Sequence, residues 1–115
     1  MNNLADEPCE VCTADSSPVA SAEQARLLEV LPGWRAVSHG GMPVLVASFG
    51  FADYEQTLAF VNRIGALAED ADHHPRMVVE WGSVEVSWWT HTINGLHRND
   101  FIMAARTSEI RDPRD

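Results

Sequence analysis

The chain has 115 residues, of which 45% are hydrophobic and 8% aromatic, enough for the core of one domain but not of two. No stretch approaches the roughly 20 apolar residues that cross a bilayer, and residues 1–8 lack the basic start and apolar run of a signal peptide, so we expect a cytoplasmic protein without a membrane partner. A formal net charge of -9 predicts a surface that repels nucleic acid, which argues against direct DNA or RNA binding.

Residues 1–20 are predicted to form an irregular leader, because they show no sustained hydrophobic period and place prolines and serines among acidic residues. A single folded domain over residues 21–115 follows. Within the leader, Cys9 and Cys12 have the spacing of a metal or redox pair, but no histidine follows at zinc-finger spacing. We favour free thiols or a packed pair, and metal binding and redox chemistry stay open as alternatives.

The first elements of the domain are a short helix and a β-hairpin. Ser21, with Gln24 three residues later, has the pattern of a capping box, and the leucine stripe behind it ends before Pro32. Residues 34–37 and 44–49 are rich in β-branched and aromatic side chains, and a His-Gly-Gly turn separates them. This pattern predicts two antiparallel strands.

The main helix is predicted to run from a capping signature at Asp53 to about Asp70, with apolar residues at intervals of three and four. Pro75 cannot continue a helix and favours extended geometry in the residue before it. His73 and His74 are therefore expected at a junction between a helix and a strand.

A second hairpin is predicted from strands 77–81 and 84–91, joined by Gly82-Ser83 in a type II′ turn. In that register one apolar face holds six side chains and covers the core. These side chains are those of Met77, Val79, Trp81, Val84, Val86 and Trp88.

The opposite face of this hairpin carries the polar residues. The same register places His74 across from His91, which brings together two histidines that are far apart in the chain. It also places Glu80 across from Glu85, a like-charge pair that requires a solvated end of the hairpin.

Asp100 is predicted to lie in the first turn of a last helix that ends near Ile110, where a carboxylate is favoured by the positive end of the helix. The predicted order is helix, two strands, helix, two strands, helix. This order indicates an α+β domain of two layers, with an antiparallel four-stranded sheet and the helices on one face.

The densest group of chemically active residues combines an acid, a His-His-Pro run, an aromatic residue, a histidine and a second acid: Glu69, His73, His74, Pro75, Trp81, His91 and Asp100. At these separations they resemble the signature of the pterin-4a-carbinolamine dehydratases. Gly33-Trp34, Thr90-His91 and Gly95-Leu96 are also similar to that family, and the resemblance covers roughly residues 21–110. The cysteine-containing leader resembles bacterial members associated with phenylalanine hydroxylase.

The resemblance implies a hydro-lyase. In that family, a 4a-hydroxytetrahydropterin left by aromatic amino acid hydroxylation loses water and becomes a quinonoid dihydropterin. The pterin is the substrate, so the resemblance implies no separate cofactor. It does imply a functional link to an aromatic amino acid hydroxylase. A homodimer or homotetramer is also implied, as is common for a small domain with an edge strand. Relatives that act as dimerisation cofactors of a transcription factor or as assembly factors supply the alternative, a non-catalytic dimerisation, assembly or transcriptional cofactor module of the same fold.

Histidine suits this reaction because its side chain gains and loses a proton near neutral pH. We predict general acid/base roles for His73 and His74, and for His91 the orientation of the substrate or a share in proton transfer. Asp100 is expected to fix the tautomer of His91. The other predicted site residues contact the pterin or support the histidines: Glu69, Asp72 and Thr90.

Metal binding is the rival chemistry for this site, and three other residues are expected to have structural roles. A metal held by the three histidines is disfavoured, because adjacent residues on an extended backbone point apart. His39 and His97 are expected to be structural; at His97 many relatives carry a serine or threonine, so we expect a helix cap weakened by about 1 kcal/mol. Trp81 is expected to pack in the core.

Overall fold

A computed structural model describes residues 4–9, 17–93 and 95–112. Its helices and strands follow the predicted order: α1 Ser21–Glu29, β1 Arg35–His39, β2 Met42–Gly50, α2 Tyr54–Ala71, β3 Arg76–Glu80, β4 Ser83–Trp88 and α3 Arg98–Arg111. The four strands form one antiparallel sheet in the order β1-β2-β4-β3. The α+β fold expected from the sequence is confirmed.

The two predicted capping signatures have different outcomes. Asp53 caps α2 as expected, because its side chain accepts a hydrogen bond from the backbone N–H of Gln56 at 2.8 Å. The capping box at Ser21 is wrong, since Ala20 is the residue before α1 and no side chain caps it. Gln24 instead donates to the carbonyl oxygen of Val19 at 2.9 Å, which ties the helix to the incoming chain.

The register of the β3–β4 hairpin differs from the prediction by two residues. Glu80 pairs with Ser83, so Trp81 and Gly82 occupy the turn. Gly82 has no positive φ, and its small size is required elsewhere: a Cβ there would lie 3.0 Å from the carbonyl oxygen of Phe51. The N–H of Phe51 donates to the carbonyl of Gly82 at 2.8 Å, so the turn is set by this contact with another loop.

A shift of two residues preserves which side chains share a face, because the period of a strand is two. The predicted core face holds for Val84, Val86 and Trp88 of β4, which are completely buried, whereas Val79 of β3 is 37% exposed. Trp81 lies in the turn and is 66% exposed, so its expected place in the core is wrong. The expected like-charge pair is also wrong. Glu80 lies opposite Ser83, and Glu85 lies opposite Val78.

Helices α2 and α3 cover one face of the sheet and form the core with it. Val86 and Trp88 of β4 are completely buried, as are Ile64 of α2 and Phe101 of α3. The indole N–H of Trp88 donates to the hydroxyl of Thr107 at 3.1 Å, so this buried polar group is satisfied. Each large apolar side chain buried in this way stabilises the fold by about 1.5–3 kcal/mol.

The first described residues also join the core. Leu4–Asp6 form a single 3₁₀ turn, and Leu4 and Ala5 are buried in the cluster that contains the sheet and α3. The division of the chain at residue 20 stays a prediction, and Cys12 lies outside the described residues. None of the helices in the described ranges has the length and apolar character needed to cross a membrane.

Candidate active site

The end of helix α2 positions two adjacent histidines. Asp72, the residue after α2, has a left-handed backbone with a φ of 51°. The N–H of His73 then donates to the carbonyl oxygen of Ala68 at 3.1 Å, a pattern that ends many helices. Pro75 cannot continue the helix. His73 and His74 therefore lie between a helix and a strand, as the sequence predicts.

His73 is held by a buried carboxylate at the start of helix α3. Its Nε2 lies 2.6 Å from Oδ1 of Asp100, and the two side chains are 15% and 0% exposed. The imidazole also stacks on the indole of Trp88, with ring centroids 5.5 Å apart. An ionised carboxylate only accepts hydrogen bonds, so His73 donates from Nε2 and the neutral ring keeps Nδ1 as an acceptor.

Asp100 also organises the first turn of α3. Its Oδ2 accepts hydrogen bonds from the hydroxyl of Thr90 at 2.8 Å and from the backbone N–H of His97 at 2.9 Å. In return, Nδ1 of His97 accepts from the N–H of Asn99 at 3.0 Å, which completes a reciprocal cap. His97 therefore caps α3 with a ring nitrogen in place of a hydroxyl oxygen, and the expected weakening of the cap stays a prediction.

His74 has a partner of a different kind. Its Nε2 lies 2.6 Å from Oε1 of Glu69, and these side chains are 55% and 80% exposed. Solvent screens such a pair, so the contact orients the imidazole more than it stabilises the fold. The two adjacent histidines are thus bound to carboxylates of different helices, α3 for His73 and α2 for His74.

The third histidine lies in a 3₁₀ turn, His91–Ile93, that follows strand β4. The indole N–H of Trp89 donates to Nδ1 of His91 at 3.3 Å, and the two rings meet edge to face. An indole nitrogen can only donate, so the neutral ring of His91 carries its proton on Nε2. The expected pairing of His91 with Asp100 is wrong: Asp100 binds His73, and Trp89 sets the tautomer of His91.

All three histidines line one cavity of about 480 Å³. The predicted site residues that line it are Asp72, His73, His74, Thr90 and His91. Glu69 and Asp100 are not among its lining residues, and each bonds to a histidine that is. The lining residues that the sequence analysis did not select are Cys9, Ala71, Trp89, Thr92 and Asn99.

The positions of the histidines around this cavity do not follow from the predicted strand register. Strand β3 begins at Arg76 and β4 ends at Trp88, so His74 and His91 lie beyond the paired residues, and their expected cross-strand pairing is wrong. The cavity forms where the chain leaves these two strands. Trp89 carried a local signal, an indole N–H two residues before a histidine, but it was predicted to continue the strand 84–91.

Cys9, from the segment predicted as an irregular leader, also lines the cavity. Burial raises the pKa of its thiol, and the negative charge of Asp100 adds to this effect while Arg106 opposes it. A thiol with a raised pKa is a poor nucleophile and a poor metal ligand at neutral pH. As a protonated thiol, Cys9 forms a small, weakly polar part of the cavity wall.

The described residues contain no group of three or more His, Cys, Asp or Glu side chains arranged to hold a metal ion. The geometry gives a reason at the histidines, since His73 and His74 are engaged by carboxylates on different helices. Metal independence stays a prediction.

Fold and site together define a small α+β protein with a cavity lined by three histidines, one of them bound to a buried carboxylate. Residues 17–110 match the model of the family described as pterin 4 alpha carbinolamine dehydratase. Two proteins assigned to this family by name are similar over nearly their whole length. The one from Chlorobium limicola is 52% identical, covering 97% of this chain and 99% of the other; the one from Saccharophagus degradans is 47% identical, covering 96% and 97%.

Solved structures agree with this assignment. A transcriptional coactivator/pterin dehydratase from Brucella melitensis superposes with a TM-score of 0.75 at 29% identity, covering 82% of this chain and 98% of the other. A pterin dehydratase-like protein described as a RuBisCO assembly factor in the alpha-carboxysome gives a TM-score of 0.60 at 28% identity, covering 70% and 90%. The chain belongs to the pterin-4a-carbinolamine dehydratase family.

Proposed function

We propose that this protein catalyses the dehydration of a 4a-hydroxytetrahydropterin to a quinonoid dihydropterin and water. In this reaction the bond between C4a and its hydroxyl oxygen breaks, and the oxygen takes a proton and leaves as water. The adjacent ring nitrogen loses its proton, and a double bond forms between that nitrogen and C4a. The enzyme must therefore deliver one proton and remove another on the same small ring system.

The observation that carries this proposal is the pair formed by His73 and the buried Asp100 at the edge of the cavity. Because Nε2 of His73 is committed to Asp100, the neutral ring offers Nδ1 as its basic nitrogen. This suits His73 to accept the proton of the pterin ring nitrogen. Asp100 then stabilises the imidazolium that forms, as buried carboxylates do beside catalytic histidines.

The other two histidines supply the remaining steps of the proposal. His91 keeps its proton on Nε2, which suits it to donate a hydrogen bond to the departing oxygen and so to orient the substrate. His74 is half exposed and paired with Glu69, which suits it to carry the second proton and to exchange it with solvent. Asp72 and Thr90 line the same cavity and are proposed contacts of the pterin.

The physiological role that we propose is recycling of the pterin cofactor of an aromatic amino acid hydroxylase. The family is named for the carbinolamine that such hydroxylation leaves behind. We further propose that the protein works as a homodimer or homotetramer in the cytoplasm. Sedimentation equilibrium tests the assembly, and a monomer at micromolar concentration contradicts it.

A second candidate function is that of an assembly or coactivator module without catalysis. It is favoured by the fold, since one structural neighbour is described as a RuBisCO assembly factor. Retention of His73, His74 and His91 around one cavity favours the enzyme instead, because an assembly module has no need of three histidines there.

The test is a spectroscopic assay of quinonoid dihydropterin formation from freshly generated 4a-hydroxytetrahydropterin, with and without the protein. We expect the protein to accelerate dehydration over the spontaneous rate, and general acid/base groups typically contribute about 10²–10⁴-fold. A rate equal to the spontaneous one rejects the proposed dehydratase activity and favours the non-catalytic module. The same assay with a chelator tests metal independence: loss of activity with recovery on adding metal contradicts it.

A further inference from the structure

The segment of residues 4–9, called here the strap, is fixed to helix α3 by its backbone. The guanidinium of Arg106 donates to the carbonyl oxygens of Ala5 at 3.0 Å and Glu7 at 2.6 Å. Leu4 and Ala5 are buried in the same cluster as the sheet and the helices. The start of the strap is thus an integral part of the core.

A charged clamp holds the middle of the strap. The guanidinium of Arg98 donates twice to the carboxylate of Glu7, at 2.8 and 2.9 Å, and also reaches Glu23 of α1 at 3.5 Å. This contact lowers the pKa of Glu7, and Glu7 raises the pKa of Arg98. Arg98 is the first residue of α3, two positions before Asp100. Clamp and histidine partner therefore share one helical turn.

Beyond the clamp, the strap reaches the cavity of the three histidines. Cys9 lines it together with His73 and Asn99. The thiol is oriented by a contact with Met103 of α3, with the two sulfur atoms 3.7 Å apart. Since Cys9 is anchored to the helix that carries Asp100, its position relative to His73 is set by the clamp.

We propose that the strap is a wall of the pterin site and that Cys9 is a specificity-determining residue that limits what fits beside His73. This inference rests on the proposed function for the identity of the ligand. The class of ligand that suits the cavity is a reduced pterin with a short, uncharged substituent. Asp72 in the lining and the net charge of -9 disfavour a long acidic tail.

The first experiment measures ligand contact with Cys9 directly, in a Cys12→Ser background where Cys9 is the only thiol of the chain. The rate of alkylation by iodoacetamide is followed with and without 7,8-dihydrobiopterin. We expect slow alkylation of the free protein and at least about fivefold protection by the saturating pterin, since a filled cavity excludes the reagent. Binding of the pterin without protection of Cys9 overturns the proposal.

The second experiment changes the size of the wall. Cys9→Phe fills part of the cavity and is expected to raise KM and the Kd for 7,8-dihydrobiopterin by about tenfold or more, with a much smaller change in kcat. Val30→Phe, a similar enlargement at a side chain that is 64% exposed and does not line this cavity, is expected to stay within about threefold of wild type. Unchanged Kd and KM in a folded Cys9→Phe protein overturn the proposal. If that variant does not fold, the protection experiment decides the question alone.

The third experiment releases the clamp. Arg98→Met is expected to speed alkylation of Cys9 and to weaken pterin binding, whereas Arg26→Met, which removes a solvent-exposed ion pair with Glu23, is expected to change neither. Equal alkylation rates in both variants overturn the role of the clamp. If the pterin protects Cys9 but the protein shows no turnover, the proposal about the strap holds and the proposed dehydratase activity is rejected. If turnover is normal but the pterin does not protect Cys9, the dehydratase activity holds and the proposal about the strap is rejected.

Discussion

Nε2 of His73 lies 2.6 Å from Oδ1 of Asp100, and this carboxylate is completely buried. The same carboxylate accepts hydrogen bonds from Thr90 and from the backbone of His97. One aspartate therefore fixes an imidazole, a cavity residue and the start of helix α3. A site built this way is rigid before any ligand arrives, which is what proton transfer at a defined atom requires.

The buried and exposed carboxylates should differ in their effect on turnover. Asp100→Asn is expected to lower kcat/KM by about 10²–10⁴-fold, because the amide no longer holds His73 in the tautomer with a free Nδ1. Glu69→Gln, the matched change at the exposed partner of His74, is expected to cost less than about tenfold. Steady-state kinetics against pH, with thermal unfolding as a control for folding, make the comparison. Equal losses in the two variants contradict it.

Two tryptophans of the second hairpin should differ in their effect on stability. Trp88 is fully buried and bonded to Thr107, so Trp88→Ala should lower the free energy of unfolding by about 3–5 kcal/mol. Trp81 occupies the exposed turn, so Trp81→Ala should cost less than about 0.5 kcal/mol. Urea denaturation measures both. A larger loss at Trp81 would show that the turn is misplaced.

The cap of helix α3 gives a third prediction. His97→Ala removes the acceptor for the N–H of Asn99 and should lower the free energy of unfolding by about 0.5–2 kcal/mol. His97→Ser retains an acceptor and should lose less stability than His97→Ala. Denaturant unfolding of both variants provides the measurement, and identical losses would mean that the imidazole acts by packing alone.

Acid should release the strap through Glu7. Arg98 lowers the pKa of Glu7 below its usual value of 4.5, so the stabilisation is fully present above that value and is lost as the pH falls through the lowered one. The free energy of unfolding of Glu7→Gln should therefore lie below that of wild type at neutral pH, and the two should converge as the pH falls through the lowered pKa of Glu7. A difference that stays constant down to about pH 3 would contradict the clamp.

Much of the fold could be predicted because its signals are local. The apolar period of α2, its aspartate cap and the alternation of β3 and β4 depend on residues close together in the chain. The turn at Trp81-Gly82 could not, because the small residue serves a contact with the backbone of Phe51, some 30 positions away along the chain. A rule for isolated hairpins assigns that glycine to the first position of the turn, whereas it occupies the second.

The site was predictable in its residues and less so in their partners. The family resemblance singled out the His-His pair and His91, and all three line one cavity, although not through the cross-strand pairing that the register predicted. The partnership of Asp100 with His73 instead of His91 depends on how α3 packs beneath the end of α2. Cys9 lies at the cavity because Arg98 and Arg106 bind Glu7, two residues before it, and no local sequence pattern encodes these long-range contacts.

The rate of quinonoid dihydropterin formation per folded molecule in three single variants tests the central claim most directly. His73→Ala, His74→Ala and His91→Ala should each lower kcat/KM by about 10²-fold or more, as the loss of general acid/base groups usually does. The unfolding midpoint should stay near that of wild type for His74→Ala and His91→Ala, and should fall for His73→Ala, which leaves the buried Asp100 without its imidazole partner. Equal folded concentrations of each variant are compared with wild type and with the spontaneous reaction. Wild-type rates in all three folded variants would contradict the account, because the cavity would then not be where the pterin loses water.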